Sequence, residues 1–170
     1  MKVILTMAIT ANGIIATKAG SEDFFSDEVW SWFVKQTKGT GCYICGRKTY
    51  EAMVGWEGEY LNDLDGIKKL VISGSNPVLR EGFELTNSPK EALSKLEAEG
   101  FKEVTISGAS VNSSFVKASL VDEVIFAVSP VVLGEGIPVF SPDEFQLSME
   151  LMGVEKIDGG IVQLHYKVLK

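Results

Sequence analysis

Apolar and polar positions follow two periods along this chain, one typical of strands and one typical of helices. Apolar runs predict strands over 2–10, 42–45, 69–73, 83–86 and 104–107. Amphipathic segments between them predict helices over about 27–38, 47–54, 89–99 and 110–118. In the last third of the chain the alternation of strands and helices stops, and the pattern predicts strands at 122–132, 145–154 and 161–169. This order predicts one α/β domain over 1–170, a mostly parallel sheet with helical crossovers that ends in an antiparallel hairpin.

The first helix has start and stop signals at both ends. Ser26 is placed to cap its amino terminus, and Asp27 and Glu28 suit its dipole. Gly39 and Gly41 are expected to end it. Acidic residues in a first helical turn usually serve the dipole alone, so this pattern does not by itself indicate chemistry.

Composition and charge narrow the class of protein. The 170 residues are 45% hydrophobic and 23% charged, the balance of an ordinary globular protein. The formal net charge of −7 argues against nucleic acid or an anionic membrane as a partner of the whole molecule. The apolar amino terminus is too short to span a bilayer and has no small-residue cleavage site. We therefore expect a strand there and a cytoplasmic protein.

The two cysteines form a lone CxxC, Cys42 and Cys45, inside a predicted strand. A period of two sends their side chains to opposite faces, so we expect buried packing residues and neither a redox pair nor a zinc site. His165 is the one histidine of the chain and lies in a terminal strand. No metal site is expected, and a Ser-His-Asp hydrolase is not favoured.

The most informative segment starts at Gly46 and follows the second predicted strand. A glycine at a strand end, the cations Arg47 and Lys48, and the hydroxyl of Thr49 at a helix start suit a phosphate-bearing ligand. A glycine turn with solvated cations explains this segment equally well when it is taken alone. The segment nearly matches a Walker A loop, but the lysine is one residue too late, and no Rossmann GxGxxG follows the first strand.

Two more turns, Ser73-Gly74 and Gly108-Ala109-Ser110, also follow predicted strands. Ligands of parallel sheets bind beyond the carboxyl ends of the strands. We therefore expect the three turns to meet at one edge of the sheet, where a long phosphate-bearing ligand lies across it.

The order of these segments resembles the dihydrofolate reductase superfamily, particularly the branch containing the riboflavin-pathway pyrimidine reductases. The resemblance covers nearly the whole chain and is carried by segments 12–16, 46–51, 73–75, 108–109, 120–123 and 130–140. It implies a central, mostly parallel eight-stranded sheet with an antiparallel carboxyl-terminal strand, flanked by about four helices. It also implies NADPH as cofactor and a small-molecule substrate, either a pterin or folate or a pyrimidine.

The resemblance implies cofactor contacts at particular positions. They are Ala8 and Ile15 at the nicotinamide, Gly46, Arg47, Lys48 and Thr49 at the diphosphate and ribose phosphate, Ser73, Gly74 and Ser75 at the adenosine 2′-phosphate, and Gly108, Ala109, Ser110 and Val111 at a second diphosphate turn. Arg47 and Lys48 also favour NADPH over NADH, because the extra phosphate brings about two negative charges.

The implied reaction is hydride transfer to the carbon of a C=N bond, with a proton delivered to the nitrogen. Folate enzymes polarise this bond with a carboxylate on the helix after the first strand, for which Asp27 and Glu28 are the candidates. Three positions depart from the folate pattern: Val29 at the family's carboxylate position, Ile67 where an arginine binds folate, and Ala109 in place of a glycine that favours positive φ.

The leading prediction is an NADPH-dependent reductase of a pterin or related pyrimidine, with dihydrofolate reduction as the first reaction to assay. One alternative is a riboflavin-pathway reductase of a phosphorylated aminopyrimidine, which needs a second phosphate site that the Gly134-Glu135-Gly136 loop does not supply. A non-catalytic NADPH-binding module is the other alternative. The sequence leaves monomer or homodimer open.

Overall fold

The computed structural model describes residues 1–56 and 60–170. Its strands are β1 Lys2–Thr10, β2 Ile14–Ala16, β3 Cys42–Gly46, β4 Lys68–Ile72, β5 Phe83–Thr86, β6 Glu103–Ser107, β7 Glu123–Ser129, β8 Ile137–Pro138, β9 Met149–Ile157 and β10 Ile161–Val168. The α-helices are α1 Asp27–Thr40, α2 Arg47–Gly55, α3 Pro89–Ala98 and α4 Ala109–Lys117. Short 3-10 helices cover Tyr60–Leu64 and Asp158–Gly160.

Eight strands form one sheet in the order β5-β4-β3-β6-β1-β7-β10-β9. The first six of these pair in parallel, and β10 runs antiparallel to both β7 and β9. The predicted mostly parallel sheet with an antiparallel carboxyl-terminal strand is confirmed. The small sheet of β2 and β8 was not predicted, because segments of three and two residues are too short to show a period.

Alternation along β3 divides the apolar core between the two faces of the sheet. Cys42 packs in the cluster that contains Leu96 of α3 and Phe115 of α4. Cys45 packs in the cluster that contains Met53 of α2. Both cysteines are free and fully buried, and burial raises the pKa of each thiol to about 12. The predicted role of the CxxC in packing is therefore confirmed.

The ends of α1 differ in detail from the prediction. Ser26 lies at the N-cap position but makes no side-chain bond to the helix backbone. Gly39 lies inside the helix and does not end it. Gly41 ends it with a φ of 73°, and its N–H donates to the Thr37 carbonyl at 3.1 Å. A left-handed turn of this kind is open to glycine at little cost, which is why Gly41 and not Gly39 stops the helix.

None of the described helices combines the length and the apolar composition that crossing a membrane would need.

Candidate active site

The turns after β3 and β6 lie side by side, because these two strands are neighbours in the sheet and run in the same direction. Gly46 ends β3 and immediately precedes α2, and Gly108 stands between β6 and α4. The turn after β4 lies at the same edge, on the other side of β3. The predicted convergence of three turns at one rim is therefore present in the fold.

Close packing joins the first two turns into one surface. Gly108 has a φ of 104°, and a Cβ built on it would overlap Oγ1 of Thr49. A Cβ built on Gly46 would lie 3.2 Å from Cγ2 of Val111, across the same junction. Both glycines therefore allow the backbones of the two turns to approach more closely than a side chain would permit.

Ala109 begins α4 and is not among the residues with positive φ. Because the positive φ of this turn falls on Gly108, the methyl group of Ala109 causes no backbone strain there.

The amino termini of α2 and α4 are not closed by any side chain. Their cap residues, Gly46 and Gly108, carry no side-chain acceptor, and no cap hydrogen bond is formed at either helix. The contrast is α3, where the Ser88 hydroxyl accepts the Glu91 N–H at 3.2 Å. Free N–H groups and the positive end of a helix dipole favour an anion, so the paired helix starts fit the phosphates of a dinucleotide.

The two cations of α2, Arg47 and Lys48, are both exposed. Arg47 forms an ion pair with Glu51, one helical turn later, at 2.9 Å. The sequence predicts that Arg47 contacts phosphate, whereas in the structure its guanidinium is paired with Glu51. An exposed pair of this type contributes little free energy, so a phosphate can replace Glu51 as the partner.

The turn after β4 presents hydroxyl groups. Ser73 is buried, and its Oγ lies 3.0 Å from Oγ of Ser75 and accepts the Ser75 N–H at 3.1 Å. Gly74 and Ser75 are exposed. This small turn is braced by its own hydrogen bonds and adds donors to the same edge of the sheet.

A cavity of about 550 Å³ opens beside these turns, a volume in the range of small-molecule sites. Ala8 of β1, Thr49 of α2 and Ser107 of β6 line the side next to the turns. The aromatic side chains that line it are Phe25, Trp30, Phe33, Tyr43, Trp56 and Tyr60. The acidic ones are Glu22, Asp23 and Asp27. Thr49 thus belongs both to the cavity and to the junction of the two turns.

The aromatic wall is ordered by edge-to-face contacts. The ring of Trp30 lies 5.3 Å from that of Trp56 and 5.8 Å from that of Tyr60, both nearly perpendicular to it. The indole N–H of Trp30 donates to Asp63 at 2.8 Å, which fixes the ring's orientation. Such a wall suits a planar aromatic ligand.

Two hydroxyl groups meet deeper in the cavity wall. The Tyr43 hydroxyl is hydrogen-bonded to that of Ser107 and lies 3.8 Å from the sulfur of Met53. Burial raises the pKa of Tyr43 well above its usual value, so the phenol stays neutral. The pair is therefore a neutral, internally hydrogen-bonded part of the cavity wall.

Glu22 is a candidate functional residue that sequence analysis missed. It is partly buried in the cavity wall, and burial raises the pKa of its carboxyl to about 7. Backbone hydrogen bonds hold its loop in shape: Thr17 N–H donates to Ser21 O and Phe25 N–H to Glu22 O, each at 2.9 Å. The local sequence shows only an acidic residue in a polar loop, so nothing in it indicates burial.

The structure separates the two predicted catalytic acids. Asp27 lines the cavity and is exposed to solvent. Glu28 is exposed and does not line it, and a hydrogen bond from Ser26 lowers the pKa of its carboxyl. An ideal Cβ on Gly159 would lie 3.9 Å from the Glu28 carboxylate, which places this side chain beside the β9–β10 turn. Of the two acids, only Asp27 is in a position to meet a ligand in the cavity.

Ile15, matched to the nicotinamide by resemblance, is buried in β2 and is not a lining residue of the cavity. Val29 is buried and lines it. No group of three potential metal ligands occurs among residues 1–56 and 60–170.

Residues 1–163 match the family described as the RibD C-terminal domain. The chain belongs to this family. The match agrees with the predicted resemblance to the dihydrofolate reductase superfamily and its riboflavin-pathway pyrimidine reductase branch. It favours the pyrimidine alternative over the dihydrofolate reaction that led the predictions.

Two curated relatives from Bacillus subtilis (strain 168) are similar over almost their full length. The uncharacterized protein YwjB is 32% identical over 177 residues, which cover 97% of each chain. The uncharacterized protein YyaP is 26% identical over 176 residues, covering 97% of this chain and 94% of the other.

Several solved structures share the fold of this chain. A putative riboflavin biosynthesis protein from Shewanella sp. PV-4 aligns over 100% of both chains, with a TM-score of 0.79 and 23% identity. A pyrimidine reductase-like protein from Corynebacterium diphtheriae has a TM-score of 0.77 and 16% identity, over 99% of this chain and 92% of the other. A Thermotoga maritima diaminohydroxyphosphoribosylaminopyrimidine deaminase/5-amino-6-(5-phosphoribosylamino)uracil reductase has a TM-score of 0.73 and 16% identity. This chain spans 56% of the Thermotoga chain.

Proposed function

We propose that this RibD C-terminal domain protein is an NADPH-dependent reductase that acts on a C=N bond of a pyrimidine-type heterocycle. The observation that supports this most directly is the position of Thr49. Its side chain packs against Gly108 at the junction of two open helix starts, and it also lines the aromatic cavity. A phosphate-binding surface and a cavity for a planar ring therefore adjoin, as a dinucleotide reductase requires.

In this proposal the strand-end turns bind the cofactor. The free N–H groups at the starts of α2 and α4 hold the diphosphate, Arg47 and Lys48 add positive charge, and the turn 73–75 supplies hydroxyls for a further phosphate. Ala8 and Ser107 border the cavity where the nicotinamide would lie. NADPH, when bound, supplies the hydride, and the protein holds the two reacting rings in register and excludes water.

Glu22 is the proposed source of the proton. Its pKa of about 7 means that a large share of its carboxyl groups are protonated at neutral pH. Hydride addition to the carbon of a C=N bond leaves the nitrogen in need of a proton, which the Glu22 carboxyl is placed to donate within the cavity. Asp27 lines the same cavity and serves here as a hydrogen-bond acceptor for ring N–H or amino groups.

Two buried residues argue against dihydrofolate as the substrate. Val29 replaces the carboxylate that polarises folate, and it is buried against the cavity. Ile67 replaces the arginine that binds folate's glutamate, and it is buried in the same apolar cluster as Met53. Since neither position supplies the expected charge, the reaction of the pyrimidine branch fits this chain better.

The test has a binding step and a turnover step. NADPH at about 100 times its dissociation constant should raise the free energy of unfolding by about 2.7 kcal/mol. Loss of absorbance at 340 nm should then follow addition of a reducible pyrimidine, and no such loss should follow addition of dihydrofolate. No stabilisation by NADPH would contradict the proposal, and stabilisation without turnover of any pyrimidine or pterin would favour the binding module.

A further inference from the structure

The substrate cavity combines aromatic surface with negative charge. The carboxylates of Glu22, Asp23 and Asp27 line it. Behind this lining, the Asp63 carboxylate accepts the indole N–H of the lining residue Trp30 at 2.8 Å. No Lys, Arg or His lines the cavity within residues 1–56 and 60–170, and the sequence of 57–59 is Glu-Gly-Glu. Above pH 7, where Glu22 is ionised as well, the described walls carry several negative charges and no positive charge to balance them.

The cations of α2 and of the loop before Glu22 lie outside the lining of the cavity. Arg47 and Lys48 lie at the start of α2, on the surface proposed for the cofactor phosphates. Lys18, in the loop that leads to Glu22, forms an exposed ion pair with Glu135. None of these cations lines the cavity, so none of them faces a phosphate group that is bound inside it.

A phosphate monoester carries about 1.5 to 2 negative charges at pH 7. Burying it among carboxylates, away from cations, opposes binding, because like charges repel strongly where water is excluded. The α2 and α4 amino termini cannot offset this repulsion if the cofactor occupies them. The same carboxylates would attract a ligand that presents amino groups, ring N–H groups or a positive charge.

We propose that this protein acts on a planar heterocycle that has no phosphate group and is either neutral or positively charged. It discriminates against the phosphoribosyl-substituted uracil named for its Thermotoga maritima neighbour. The ring lies against the wall of Trp30, Trp56 and Tyr60, and its N–H groups face Glu22 and Asp27. This inference rests on the proposed function, since it concerns the substrate of the same site.

The test compares two ligands that differ only in the phosphate: 5-amino-6-(5-phosphoribosylamino)uracil and the same compound without its 5-phosphate. Both are titrated calorimetrically at pH 8 into the protein saturated with NADP⁺, so that binding is measured without turnover. The compound without phosphate should bind at least about tenfold more tightly. Equal or tighter binding of the phosphorylated compound would overturn the inference.

A charge-removing variant shows whether the carboxylates cause the discrimination. In the double variant Glu22→Gln, Asp27→Asn the ratio of the two dissociation constants should shrink by about tenfold. The control is Glu150→Gln, an exposed acid of β9, which should keep the ratio of the unaltered protein. An unchanged ratio in the double variant would overturn the electrostatic explanation and the inference with it.

The remaining outcomes separate this inference from the proposed function. If NADP⁺ binds and neither uracil compound does, the inference is overturned while the cofactor site stands. If NADP⁺ itself does not bind, the proposed function fails, and the substrate inference that depends on it fails as well.

Discussion

At the scale of single residues, three neighbouring acids differ in their position relative to the cavity. Glu22, Asp27 and Glu28 are close in sequence, yet Glu22 and Asp27 line the cavity while Glu28 faces away from it. The sequence made Asp27 a candidate acid, and this residue lines the cavity, while its catalytic role stays a prediction. It could not predict Glu22, because the pKa of that carboxyl is raised by desolvation in the folded protein.

Glu22→Gln should change both stability and activity in a pH-dependent way. Burial raises the pKa of Glu22 to about 7 because it disfavours the ionised carboxylate. Below the unfolded value of about 4.5 the carboxyl is protonated in both states and this cost is absent. As the pH rises through 7 the folded protein bears the full cost and loses stability. Chemical denaturation gives the free energy of unfolding of the variant minus that of the unaltered protein. This difference should be about 1–3 kcal/mol larger at pH 8 than at pH 4.

The activity of the unaltered protein should fall as the pH rises through about 7, as Glu22 loses its proton. The Glu22→Gln variant should lose turnover by roughly 10²–10⁴-fold and lose this pH limb. Glu28→Gln, an exposed acid outside the cavity, is the matched comparison and should keep both. A normal pH profile in Glu22→Gln would remove Glu22 as the proton source.

Gly108 is the residue on which the junction of the two turns depends. Gly108→Ala combines a φ of 104° with overlap against Thr49, so it should destabilise the fold by about 1–3 kcal/mol and weaken NADPH binding. Gly134→Ala is the control, because Gly134 has no atom within 4 Å of its Cβ position and no positive φ. Thermal denaturation with and without NADPH measures both effects, and a Gly108→Ala protein as stable as the control would show that this close approach is not required.

At the scale of elements, the regular segments were predictable and the short ones were not. Each strand of the parallel sheet and each α-helix was predicted within a few residues, because each is at least four residues long and shows a clear period. The exceptions were β2, β8 and the 3-10 helix Tyr60–Leu64, which form through tertiary contacts. The open helix starts were also predictable, since Gly46 and Gly108 offer no capping side chain, whereas the Arg47–Glu51 pair became visible only in the structure.

Arg47→Ala tests the role of the α2 amino terminus. Loss of this cation should weaken NADPH binding by roughly tenfold and NADH binding by less, because NADPH carries the additional phosphate. Lys90→Ala removes an exposed cation at the start of α3, where Ser88 already caps the helix, and should change neither affinity. Titration calorimetry with both cofactors decides the matter: an equal loss for NADPH and NADH would contradict the assignment.

At the scale of the whole molecule, the distribution of charge suits two different ligands, one that carries phosphates and one that does not. The chain carries a formal net charge of −7, yet the rim of the sheet presents free N–H groups and the cations of α2, while the adjoining cavity presents carboxylates. The sequence predicted the first of these surfaces from the segment that starts at Gly46, whereas of the acids in the cavity it predicted only Asp27. Whether the protein is a monomer or a homodimer stays a prediction, and β9 exposes Leu151, Met152 and Val154 at the edge of the sheet.

The central claim is that a dinucleotide lies across the strand-end turns with its nicotinamide in the aromatic cavity. A crystal structure of the protein with NADP⁺ tests this most directly. The account predicts phosphate density at the amino termini of α2 and α4, and the nicotinamide ring beside Ala8 and Ser107. A cofactor bound on another face of the sheet, with the α2 and α4 amino termini free of phosphate, would contradict it.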